Sequence, residues 1–74
     1  WIDLARLEIT KEDYEKALSF LGIAKYIDDS DYRYYYYLGL VLKNKGLTAD
    51  ARQNFEKSLN LNPDYSLAKE ELSI

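Results

Sequence analysis

Three aspartates crowd the stretch "IDDSDYRYYYY", at Asp28, Asp29 and Asp31. Carboxylates around a tight loop are the chemistry of a hard cation such as Ca²⁺. An EF-hand loop, however, also requires a Gly after its third ligand and a Glu at its end. Here the chain continues with Tyr32, Arg33 and aromatics. The stretch therefore reads as a solvated acidic turn, with Ser30 or Asp31 capping the helix that follows. The sequence contains no His and no Cys. That removes disulfides, the commonest strong metal ligands and the usual activated nucleophiles. Acid–base catalysis by carboxylates would need a pair with tuned pKa values, and the carboxylates here fall on charged outer faces of predicted helices. "KEDYEK", residues 11 to 16, reads as a turn and helix start, and "KNKGLTAD", residues 43 to 50, holds one Gly and no phosphate-loop spacing. No catalysis, metal or cofactor is expected.

What stands out instead is tyrosine, eight in 74 residues, four of them consecutive in "DYRYYYYLGL", residues 31 to 40. Successive side chains step round a helix by about 100°, so Tyr34, Tyr35, Tyr36 and Tyr37 cannot all enter one core. The bulk properties narrow the choice of role. The net charge is −3 and the basic residues are scattered singly from Arg6 to Lys69, which argues against a nucleic-acid face. The longest apolar-looking run, "YYYYLGLVL", is nine residues, about half a membrane span. No membrane association is expected. The chain opens on Trp1 and reads as an excised segment, and lack of Cys suits the cytosol while leaving the periplasm open.

With one Pro and three Gly, the chain favours helices. Trp1, Leu4 and Ala5, flanked by Leu7, give the i, i+3, i+4 face of a first helix over residues 1 to 11. "DYEKALSFLGIAKYI" supplies a second, with Asp13 as its N-cap and Glu15 in the first turn. A third runs from about Tyr32 to Asn44 and stops at Gly46, suited to a left-handed C-terminal position. Thr48 is the candidate cap of a fourth, ending near Asn60, and residues 65 to 74 begin a fifth.

Sliding the chain by 34 residues reveals an internal repeat. Trp1 aligns with Tyr35, Leu4 with Leu38 and Leu72, and Ala5 with Gly39 and Ser73. Ala17 aligns with Ala51, Leu21 with Phe55, Ala24 with Ser58, and Ile27 with Leu61. What recurs is side-chain size, as close helix packing demands: small residues admit a neighbouring helix and large ones fill the space beside it. In the second copy Tyr35, Leu38, Gly39 and Leu42, then Ala51, Phe55, Ser58 and Pro63, resemble the tetratricopeptide repeat (TPR). The first copy contributes Trp1, Leu4, Ala5, Tyr14, Ala17, Leu21 and Ala24. It departs from the pattern at Glu8 and Asp29, and the second copy does so at Thr48.

The resemblance implies an all-α fold of five helices, a TPR-type α-solenoid of antiparallel pairs stacked in a right-handed superhelix. Residues 1–31 would be a first repeat lacking three residues, 32–65 a second, and 66–74 a capping helix or the start of a third. With the helix phase set by Tyr35, Leu38, Gly39 and Leu42, Tyr35 belongs to the core within the repeat. Tyr34 shares a stripe with Leu38 and Val41 that packs on the preceding pair. Tyr36 and Tyr37 fall on the face of Arg33, Leu40, Lys43 and Asn44, which the resemblance makes part of a concave surface. Ile2, Arg6 and Ile9 continue that surface on the first helix, and Leu67 and Glu70 on the fifth. Such a groove implies a protein or peptide partner, with Tyr and Arg as its energetic anchors. Two other readings stay open: contact with neighbouring repeats in a structural spacer, and self-association through exposed aromatic surface. The family's chaperone-tail clamp is not expected, because Ile2, Arg6, Tyr37, Leu67 and Glu71 stand at its positions.

Overall fold

In a computed structural model, which describes residues 1–73, the chain is five helices. They are α1 (Ile2–Thr10), α2 (Tyr14–Ile27), α3 (Tyr32–Asn44), α4 (Thr48–Leu61) and α5 (Ser66–Leu72). Each helix packs on the next in sequence, α3 on α4 most extensively, and α3 also touches α1. Connections of three or four residues turn the chain back on itself, so neighbouring helices run antiparallel.

The helix ends follow from local chemistry. Asp13 accepts the Lys16 N–H at 3.2 Å to start α2, and Asp31 accepts the Arg33 N–H at 2.9 Å to start α3. Ser30 instead donates its hydroxyl to Asp28 at 2.8 Å within the turn. At the end of α3 the Leu47 N–H reaches back to the Leu42 carbonyl and the Gly46 N–H to that of Lys43. This is a Schellman closure, and it places Gly46 at φ +82°. One period earlier α1 closes the same way, with Asp13 bonded to Glu8 and Glu12 bonded to Ile9. There Glu12 occupies the left-handed position, at φ 64°. Thr48, expected to cap α4, is its first helical residue, and Leu47 takes the cap position without a side-chain bond. The Schellman closure uses up the connection, so α4 begins one residue past the position that the closure fixes.

The repeating small residues are the points of closest approach. Ala5, Ala17 and Ser58 are fully buried and Ala51 nearly so. A Cβ at Gly39 would lie 2.6 Å from Phe55 Cε1, so only glycine lets α4 reach α3 here. Ser58 spends its buried hydroxyl on the Tyr32 carbonyl, at 2.8 Å. Gly22, by contrast, faces open space and is merely tolerated.

Two apolar clusters result. Ile2, Ala5, Ala17, Leu21, Ala24, Tyr34, Tyr35 and Val41 form the first, and Tyr36, Ala51, Phe55 and Ala68 form the second. Val41 and Leu38 pack with α2 residues in the first cluster. Their counterparts one period earlier, Leu4 and Leu7, are 44% and 46% exposed. Glu8, at the apolar position of the pattern, is buried, with its carboxylate 3.6 Å from Lys11.

Candidate functional site

Of the four consecutive tyrosines, three are buried. Tyr34 and Tyr35 meet edge to face with centroids 4.8 Å apart, and the Tyr35 hydroxyl donates to the Asp29 carbonyl at 2.9 Å. Lys57 sits over the Tyr35 ring at 4.7 Å, a favourable cation–π placement. These two are structural, as their helix phase requires.

Tyr36 departs from the expected groove. It is 8% exposed, because α5 folds across it: its ring lies 5.9 Å from Phe55 and 5.3 Å from Tyr65, in the cluster that holds Ala68. Ile2 departs likewise, at 7% exposed within the first cluster. Both side chains are packed beneath neighbouring helices. The sequence fixes phase around one helix, whereas coverage depends on how far the next helix extends over it.

The other expected residues lie on α1 and α3. Tyr37, Leu40 and Ile9 are half-buried, and Arg6, Arg33, Lys43 and Asn44 are exposed. Tyr37 stacks edge to face on Tyr36 at 5.1 Å. Burial pushes the Tyr37 phenol up from its ordinary pKa, Arg6 and Arg33 pull it down, and Asp3 raises it further. Tyr65 caps this aromatic cluster, 4.7 Å from Tyr32, and its pKa is pushed up to about 12 by burial and by Tyr37, Tyr36 and Tyr32 around it. With their pKa values raised, the Tyr37 and Tyr65 phenols stay neutral at physiological pH and act as aromatic contacts.

The basic residues differ in how free they are. Arg33 is clamped by Asp31, with Nη2 to Oδ2 at 2.9 Å and Nε to Oδ1 at 3.2 Å. That bond holds the Asp31 carboxyl below the usual range. Lys43 bridges to Glu71 of α5 at 2.8 Å. Arg6 has no ion-pair partner among the described residues. Sequence reasoning missed Asp31 and Glu71 as partners. Asp31 lies two residues from Arg33, outside helical i, i+3 and i, i+4 spacing, and Glu71 reaches Lys43 only because α5 folds back onto α4. Asn44 donates to the Leu40 carbonyl at 3.0 Å, closing its own helix.

No group of three or more acidic residues among those described could hold a metal ion, and no helix is long and apolar enough to cross a membrane.

Against known families, residues 32–65 match the model described as tetratricopeptide repeat, over α3, α4 and the turn carrying Pro63. Residues 32–65 are a tetratricopeptide repeat. Comparison with curated proteins and with solved structures gives no match in either set. The TPR spans the pair that packs most closely in the chain, and α1–α2 before it repeats its spacing of small and large residues. A TPR is a protein-interaction element, and the match together with the five-helix architecture supports a TPR-type fragment.

Proposed function

We propose that this chain binds a peptide or helix of a partner protein across the face shared by α1, α3 and α5. One observation carries the reading: Tyr37 is half-buried and packs edge to face on Tyr36 at 5.1 Å, while Arg6 is exposed and has no ion-pair partner among the described residues. Tyr and Arg are among the residue types that most often dominate interface energetics. Leu40 and Ile9 extend the apolar floor on either side, and Lys43 and Asn44 edge it. Arg6 would meet a carboxylate on the partner at little cost, since no internal bond has to break. Tyr36 and Ile2 support this floor from beneath and do not touch the partner.

A second reading, a structural spacer within a longer array, is favoured by a different observation. Lys43 and Arg33 already spend their charge inside the chain. Affinity capture from native extract separates the two. The chain is used as bait beside a Tyr37→Glu, Leu40→Glu variant, after circular dichroism shows equal helicity. A protein retained by the first bait and lost by the second supports the groove. An identical catch on both rejects it in favour of the spacer.

A further inference from the structure

Two helices at equivalent places in the repeat, α2 and α4, carry outer faces of different character. On α2, Ser19, Gly22, Ile23 and Tyr26 share the side opposite the buried Ala17, Leu21 and Ala24. Tyr26 is 92% exposed, and Ile23 is exposed on the turn before it. One 34-residue period on, the same positions of α4 are Gln53, Glu56, Lys57 and Asn60, an ordinary solvated face. Helix α2 packs on α1 and α3, and α4 on α3 and α5. Both outer faces therefore point away from the helices that precede and follow in sequence. Gly22 weakens its helix, and no contact within the chain requires it, since a Cβ there would meet nothing within 4 Å.

The outer face of α2 is complementary to itself. When two copies are set antiparallel about a two-fold axis between Gly22 and Ile23, Ile23 of each meets Gly22 of the other, and Tyr26 meets Ser19. Large side chains face small ones throughout. The same register brings Lys16 opposite Asp29, two exposed residues with no ion-pair partner among the described residues. Asp29 holds Tyr35 through its carbonyl, so its carboxylate is not needed inside the chain. A parallel pairing would set every residue against its own kind and gain none of this.

We propose that the chain pairs with a second copy of itself through the outer faces of α2, antiparallel and about a two-fold axis. Ile23 and Tyr26 form the apolar centre of the contact, and a Lys16–Asp29 pair closes each end. Because the same surface meets itself, association stops at the dimer. One helix face per copy is less than a stable interface of standard size buries, so the dimer is weak and exchanges with monomer. It uses a different surface from the peptide groove and stands independently of that reading.

Sedimentation equilibrium from about 10 μM to about 1 mM at low salt tests it, the range in which a weak dimer becomes visible. A mass that rises with concentration and levels at the dimer is expected. Tyr26→Asp should weaken association about tenfold or more, by setting a charge in the apolar centre. Lys16→Asp and Asp29→Lys decide the register. Each alone sets like charges opposite one another at both ends and should weaken the dimer about fivefold. Mixed in equal amounts, the two variants restore both pairs and should associate one to one as tightly as the parent chain. All these positions are exposed, and circular dichroism checks that every variant keeps the parent's helicity. A monomer at every concentration would overturn the proposal and leave the face to a helix of another protein. Growth beyond the dimer, or a mixture that associates no better than its components, would overturn it as well.

Discussion

The same substitution at two glycines should change stability in opposite directions. Replacing a helical Gly by Ala gains about 1 kcal/mol from reduced backbone entropy and better helix propensity. At Gly22 the new methyl meets nothing within 4 Å, so the gain should appear in full. At Gly39 the Cβ would stand 2.6, 2.8 and 2.9 Å from Cε1, Cδ1 and Cζ of the Phe55 ring. Carbon atoms rest at about 3.5–4.0 Å, so the ring must shift by about 1 Å. Phe55 is 3% exposed and wedged among Tyr36, Ala51 and Ala68, which leaves it little room to give. Overpacking of this kind costs about 1–3 kcal/mol. Set against the helix gain, Gly39→Ala should lose up to about 2 kcal/mol net, while Gly22→Ala gains up to about 1. Urea unfolding followed by circular dichroism measures both. The separation should reach Tm as well, at about 4–8 °C per kcal/mol for a domain of this size. Equal stabilisation by the two variants would show that α3 and α4 do not meet at Gly39, and the close-packing account of the repeat would fall.

Three further outcomes are expected. Glu12→Gly should stabilise by about 1 kcal/mol in chemical denaturation, because a residue with a Cβ sits in the left-handed region at φ 64°. Ser58→Ala should cost about 1 kcal/mol by the same measurement, through loss of the buried 2.8 Å bond to the Tyr32 carbonyl. The third concerns alkaline pH. The folded pKa of Tyr65, about 12, lies above its ordinary 10.0, so above pH 10 the unfolded chain releases its proton first. The stability this represents is intact below pH 10 and is lost as pH rises towards 12. Tyr34, Tyr36 and Tyr37 are shifted the same way and add to the loss. Unfolding measured across that range should show the decline, and Tyr65→Phe should flatten it.

How much of this was legible in the sequence depended on whether the controlling interaction was local. Asp13 and Gly46 announced their roles because a cap or a left-handed turn is decided within a few residues. Ala51, Phe55 and Ser58 announced theirs because packing sizes recur at a fixed period. Thr48 misled: its hydroxyl invites a cap, but the Schellman closure of the preceding helix had already fixed where α4 begins. Tyr36 and Ile2 misled differently. Helix phase alone does not say what is exposed, because coverage depends on distant segments, α5 for Tyr36 and the α2–α3 packing for Ile2. The ion pairs of Arg33 and Lys43 were invisible for related reasons, since neither follows a helical spacing.

The pattern in which each helix packs on its sequence neighbour has a consequence for how the chain folds. Nearly every contact closes only a short loop, so folding pays little entropy before contacts reward it and should be fast. The α3–α4 hairpin, joined by the three residues Lys45, Gly46 and Leu47, holds the most extensive interface and is the natural nucleus. Helices α2 and α5 can then add to it from either side, α1 following α2. Unfolding in the native state should run in reverse, with amides of α5 and α1 exchanging before those of α3. The first and last of these helices are thus the softest parts of the fold.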